Sequence, residues 1–67
     1  MQSISAVLDA SVAHLRAVGI ETGRLDSRVI LADLLGCDQA WLLGHPEEVL
    51  PTDLQSSYYK LILRRAA

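Results

Sequence analysis

Apolar side chains recur along this chain at close to helical spacing, and glycine or proline breaks the pattern at intervals. Ile4, Val7, Leu8, Val12, Leu15 and Val18 fall on one helical face. Ser3 stands just before them, with a hydroxyl suited to accept a backbone N–H of the first turn. Gly19 closes the segment, because glycine accepts the left-handed backbone just past a helix. Ile20 then falls where a Schellman ending turns an apolar side chain back, here onto Leu15. A second helix is predicted from Thr22, its expected cap, to Gly36. Leu25, Val29, Ile30, Leu31, Ala32, Leu34 and Leu35 make it apolar around much of its circumference, which predicts a central position. Asp38 is suited to cap a short third helix through Gln39, Ala40, Trp41, Leu42 and Leu43, which Gly44 and Pro46 stop. Residues 45–51 read as a loop, polar apart from Val49 and Leu50. Thr52 and Gln55 have capping-box spacing for a fourth helix. Leu54, Tyr58, Leu61 and Ile62 line one of its faces, and Tyr59 and Leu63 form a narrower second stripe. No strand pattern is visible. The short connections predict that consecutive helices pack as neighbours. The expected fold is all-α, a small bundle of four helices, or five if one splits.

Composition narrows the function. At 67 residues the chain is one domain, and its 51% apolar content excludes a disordered segment. A core of this size supplies roughly 3–5 kcal/mol of net stability, so packing must be efficient. The net charge of −2 offers no general attraction for nucleic acid or an anionic membrane. No apolar run approaches the ~20 residues of a membrane span. The first residues lack the basic flank and apolar stretch of a secretion signal. A single cysteine excludes an internal disulfide and suits a reducing compartment, so the expected location is cytoplasmic. The fourth helix reaches Ala67 without a stop signal, which points to a chain cut from something longer.

The chemistry expected of the side chains is sparse. Gly19, Gly23, Gly36 and Gly44 are too scattered for a phosphate or dinucleotide loop. His14 and His45 lack the paired ligands of a zinc site and read as a helix histidine and a loop histidine. Cys37 follows Gly36 as a small apolar residue folding back on the second helix, a simpler reading than a nucleophile. Glu47 and Glu48 are neighbours in a polar loop, not carboxylates facing across a cleft. No catalytic, cofactor-binding or metal-ligating residue is assigned. Arg24 and Arg28 lie one turn apart on one face, where they can meet an acidic partner or phosphate, or else pair locally with Asp26 and Glu21. Trp41 suits a thin core first and a binding hot spot second. Arg24, Arg28 and Trp41 are the candidate partner contacts.

The run Gly19-Ile20-Glu21, Arg24-Leu25-Asp26, Ile30-Leu31-Ala32 and Leu35-Gly36 resembles the N-terminal domain of HemK-type methyltransferases, also called release-factor glutamine methyltransferases. The likeness continues through Ala40-Trp41-Leu42-Leu43, His45-Pro46-Glu47 and Arg64-Arg65. It spans nearly the whole chain, with order and spacing kept. No single piece is specific, but the ordered set is. Such enzymes move a methyl group from S-adenosylmethionine to the glutamine nitrogen of a Gly-Gly-Gln loop in peptide chain release factors. Their helical N-terminal part helps hold the protein substrate. A Rossmann-like domain with an Asn-Pro-Pro-Tyr motif carries the cofactor. Neither that motif nor a cofactor loop occurs here, so only the docking role carries over. Two places depart from the family. Proline often stands where this chain has Gly23, and Ala-Glu often stands where it has Ser27-Arg28, which alters a surface charge.

The resemblance implies that residues 1–67 are one substrate-recognition domain, the N-terminal part of a larger methyltransferase. Its implied partners are a release factor and a C-terminal catalytic domain in cis, with S-adenosylmethionine held by the parent enzyme. A monomer without direct nucleic-acid or membrane contact is expected. Asp26 is expected to pair with Arg64 or Arg65, tying helix two to helix four. Tyr59 and Leu63 are expected to face the catalytic domain or the linker to it. The rival reading is a free-standing helical interaction or regulatory module. A helix-turn-helix DNA binder fits less well, because the apolar Trp41-Leu42-Leu43 segment lacks base-reading side chains.

Overall fold

A computed structural model describes residues 2–67. In chain order it has a two-residue strand β1 (Gln2–Ser3), helix α1 (Ile4–Ala17), helix α2 (Gly23–Leu35), a short helix α3 (Gln39–Gly44), a two-residue strand β2 (Val49–Leu50) and helix α4 (Thr52–Ala66). The architecture is a small all-α bundle of four helices, none of them split.

The helix ends follow local chemistry at most of the expected places. Ser3 is extended, and its Oγ accepts the Ala6 N–H at 3.2 Å. Asp38 does the same for α3, its Oδ1 accepting the Trp41 N–H at 2.8 Å. Both αL glycines close Schellman endings. Gly19, at φ +87°, lets the Ile20 N–H reach the Leu15 carbonyl at 3.0 Å. Gly36, at φ +69°, lets the Cys37 N–H reach Ala32 at 3.0 Å. Ile20 and Cys37 both fold against the core.

Two expected caps do not form. The Thr22 hydroxyl donates to Asp26 Oδ2 at 2.9 Å and leaves the backbone donors of α2 alone. At the start of α4, Pro51 occupies the cap position and no side chain caps the helix. Gln55 does not reach back to Thr52. Its Nε2 donates to Gln2 Oε1 at 2.7 Å, drawn away by a residue 53 positions earlier.

The strand pair is a second departure. Gln2 lies opposite Leu50, and Ser3 opposite Val49, in antiparallel register. Two residues are too few to display an alternating pattern, so nothing in the sequence marks them. The pair brings the start of α1 against the loop before α4. There the Ile4 N–H donates to the Glu48 carbonyl at 2.8 Å, and the Ser5 N–H to Pro46 at 2.9 Å. Loop carbonyls thus satisfy first-turn donors that a helix cannot satisfy internally.

Helix α2 is central and packs on α1, α3 and α4, while α4 rests on α1 and α2. The return through β2 therefore sends α4 mainly to those two helices, not to its sequence neighbour α3. Ile4, Val7 and Leu15 from α1, Leu31 and Ala32 from α2, Leu42, Leu50, Tyr58 and Ile62 form the core. Three residues assigned to apolar faces stay outside: Val18 is 50% exposed, Leu25 50% and Val29 45%. Val18 lies beyond the last turn of α1. Leu25 and Val29 are one turn apart on the side of α2 left uncovered by the other helices.

Gly23 sets the spacing of the α1–α2 pair. A Cβ there would sit 3.2 Å from Leu15 Cβ and 3.5 Å from the Val12 carbonyl oxygen. A side chain at the first turn of α2 would therefore push Leu15 back by a few tenths of an ångström. A second device is polar. The buried Tyr58 hydroxyl donates to the Ser27 carbonyl at 3.0 Å, tying α4 to α2. Ser11 Oγ donates to the Val7 carbonyl at 2.8 Å, and Ser27 Oγ is buried with no partner among the described residues. Burial pushes the Tyr58 phenol up from its ordinary pKa of 10.0. The nearby Ser11 and Ser27 side chains act the other way, and the neighbouring Tyr59 adds to the rise.

Candidate partner-binding surface

The residues singled out in the sequence fall on three different surfaces. Arg24 and Arg28 line a groove of about 230 Å3 between α1, α2 and α3. Its α1 wall carries Ile4, Ser5, Leu8, Asp9 and Val12, and its far side carries Leu42, Leu43 and Pro46. The helical repeat explains the two polar walls. Ser5 and Asp9 are one turn apart on α1, and Arg24 and Arg28 are one turn apart on α2. Arg28 Nε donates to the Arg24 carbonyl at 3.3 Å, which holds the guanidinium along α2. Neither arginine makes an ion pair among the described residues, and neither meets Asp26 or Glu21. Leu43, at 61% exposed, is the most exposed large apolar side chain described.

Trp41 is not in that groove. It borders a second depression with Leu35, Cys37, Val49, Leu50 and Leu54. Core filling was the weightier expectation for this residue, and the structure corrects it: Trp41 is 38% exposed. Its indole stacks on the His45 ring at 4.2 Å between centroids and 14° between planes. His45 Nδ1 lies 2.7 Å from the Trp41 carbonyl oxygen, which fixes the ring over the end of α3. In a helix of six residues Leu42 takes the one inward position, and Trp41 and Leu43 are left on the flanks.

On the α2–α4 side, Arg65 Nη2 lies 3.1 Å from Asp26 Oδ2, the oxygen that also accepts from Thr22. Arg64 is exposed and makes no ion pair among the described residues. Tyr59 and Leu63 line a third, mostly apolar groove between α1 and α4, with Ala10, Ser11, His14 and Ile62. Tyr59 is half-buried, and its hydroxyl donates to Gln2 Oε1 at 3.3 Å, while Leu63 is 59% exposed. Among the described residues no His, Cys, Asp and Glu side chains cluster as a metal site, and no helix is long and apolar enough to cross a membrane.

Sequence reasoning missed Leu8, Asp9, Leu43 and Pro46 as groove residues. Asp9 and Leu8 carried a usable signal, since both share a helical face with Ser5 and Val12. Leu43 and Pro46 carried none, because their placement depends on how α3 and the following loop settle on α1.

The model of the PrmC N-terminal domain family matches residues 6–67. The chain belongs to that family. It is also similar to a release factor glutamine methyltransferase of Koribacter versatilis (strain Ellin345), 33% identical over 63 residues. That alignment covers 94% of this chain and 22% of the relative, so the chain spans less than a quarter of that protein's length. No solved structure matches the chain. As a PrmC N-terminal domain, the chain has the helical fold that the resemblance implied. The departure at Gly23 falls where the start of α2 packs on Leu15 and Val12 of α1. Arg28 gives the α1–α2–α3 groove its second positive charge, beside Arg24.

Proposed function

We propose that this domain docks the protein substrate of a protein-(glutamine-N5) methyltransferase that acts on peptide chain release factors, and performs no chemistry itself. The observation that carries the proposal is the groove between α1, α2 and α3. In a member of the PrmC N-terminal domain family, this groove is lined by the exposed Leu43 and by two arginines that make no ion pair among the described residues.

A second contact surface fused to a catalytic domain raises the effective concentration of a protein substrate at the active site. Fixing the substrate at two points also orients the reacting glutamine, and orientation lowers the barrier. A packed bundle transmits that orientation better than a flexible arm.

S-adenosylmethionine is assigned to the parent enzyme outside these residues. Supporting this is the use made of the glycines. Gly19 and Gly36 end helices, Gly23 lets two helices touch, and Gly44 closes α3, so none shapes a cofactor loop. The groove bearing Tyr59 and Leu63 is assigned to the catalytic domain in cis. The Asp26–Arg65 pair keeps α4 seated on α2. The domain acts as a monomer in the cytoplasm, where the free thiol of Cys37 is at home.

The test is a titration of the isotopically labelled chain with a purified release factor. Shift changes at the α1–α2–α3 groove are the expected result. A parent enzyme lacking this domain is expected to methylate release factor with a raised KM. Unchanged kinetics without the domain, together with an unperturbed spectrum, would overturn the docking role.

A further inference from the structure

The α1–α2–α3 groove has a polarity that specifies more than a generic contact. Its apolar lining comes from Ile4, Leu8, Val12 and Leu42, with the exposed Leu43 at its edge. Its α2 wall is positive through Arg24 and Arg28, and its α1 wall is negative through Asp9. None of the three charges is paired across the groove among the described residues. The Nε bond of Arg28 to the Arg24 carbonyl restrains its side chain along α2, which reduces the ordering cost of binding there.

We infer that this groove captures an acidic peptide segment, seating one apolar side chain on Leu8, Val12 and Leu43 with a carboxylate beside it against Arg24 and Arg28. The inference rests on the docking role proposed above and names the chemistry of its partner. Two arginines one helical turn apart can each take a carboxylate, and a guanidinium matches a carboxylate with two parallel hydrogen bonds. Asp9 orients the segment, because a carboxylate placed toward α1 is repelled while one placed toward α2 is attracted. Nucleic acid fits less well. The groove offers no aromatic surface for base stacking, carries its own carboxylate, and belongs to a chain of net charge −2.

The experiment is a titration of the labelled 67-residue chain with three short peptides of one length. One carries a leucine flanked by glutamates, one the same leucine flanked by glutamines, and one is flanked by lysines. A short single-stranded RNA forms a fourth arm. The acidic peptide is expected to perturb Leu8, Val12, Arg24, Arg28 and Leu43, and the others are not. Replacing both arginines, R24Q with R28Q, should weaken the acidic peptide by about tenfold, two exposed charge contacts' worth. Asp9→Asn should tighten it, a result that a merely structural role for Asp9 would not produce. Equal binding of acidic and neutral peptides, perturbation confined to another groove, or preferential binding of RNA would each overturn the inference. Release factor is titrated alongside. If it binds but is indifferent to R24Q with R28Q, the acidic-segment inference fails and docking stands. If the acidic peptide binds as described and release factor does not bind at all, docking fails and the groove's chemistry stands.

Discussion

Replacing Tyr58 by phenylalanine isolates one hydroxyl at the junction of three helices. The ring stays and the core volume barely changes, so the effect is that of the polar tether. In the wild type this hydroxyl donates to the Ser27 carbonyl at 3.0 Å, in a side chain with no exposed surface. Such a bond contributes about 1 kcal/mol net. Ser27 lies inside α2, so its carbonyl keeps a helical donor and the loss stays near that value. Against roughly 3–5 kcal/mol of total stability this is a large share. It corresponds to a fall in Tm of about 4–8 °C for a domain of this size. The pH dependence supplies the sharper test. Burial raises the phenol's pKa above its ordinary 10.0. Below pH 10 both folded and unfolded chains hold the proton, and Tyr58 adds no pH dependence. Above it the unfolded chain ionises first. Stability then falls by up to about 1.4 kcal/mol per pH unit until the folded phenol ionises too. Phenylalanine has no proton to lose, and the other titrating groups are common to both chains. Urea denaturation followed by circular dichroism, from neutral pH to about pH 11, gives the difference directly. The wild type should lead at neutral pH, and its lead should shrink above pH 10. A lead that stays constant through the alkaline range, or a variant that is the more stable at neutral pH, would refute this account of the tether.

The same denaturation experiment measures further outcomes. Gly23→Ala should lose about 1 kcal/mol, because pushing α2 off Leu15 and Val12 outweighs the gain in helix propensity. Gly44→Ala, whose Cβ would meet nothing within 4 Å, should gain about 0.5 kcal/mol. Ser3→Ala and Asp38→Ala should each lose about 1 kcal/mol, the worth of an N-cap. A double-mutant cycle on Asp26 and Arg65 should return a coupling below about 1 kcal/mol that shrinks with salt, since Arg65 is nearly half exposed.

Most of the helical frame was legible because its signals are local. Ser3, Gly19, Gly36 and Asp38 each act within a few residues of themselves, and all four act as their residue types predict. The failures came where another side chain competed. Gln55 has the right spacing to cap α4, yet it bonds Gln2. Thr22 has the right chemistry to cap α2, yet its hydroxyl goes to Asp26. Leu25 and Val29 fit an apolar face by period alone, but periodicity cannot say how much of the circumference the neighbours will cover. The candidate surface was half legible. The Arg24–Arg28 face came from helical spacing, whereas the opposing Asp9 wall and the Leu43 edge depend on how three helices meet. Trp41 was weighted toward the core on size, and the shortness of α3 kept it out.

The backbone bonds from Ile4 and Ser5 to the carbonyls of Glu48 and Pro46 have a consequence for synthesis on the ribosome. A nascent chain that has emerged only as far as α3 holds the first two long helices but lacks the acceptors for the first turn of α1, the partner strand for Gln2 and Ser3, and Tyr58. Local contacts between α1 and α2 can form early. The amino-terminal edge closes only when the final third of the domain has emerged. Closure of that edge is therefore late, because the loop and strand that cover the first turn of α1 come near the end of the domain.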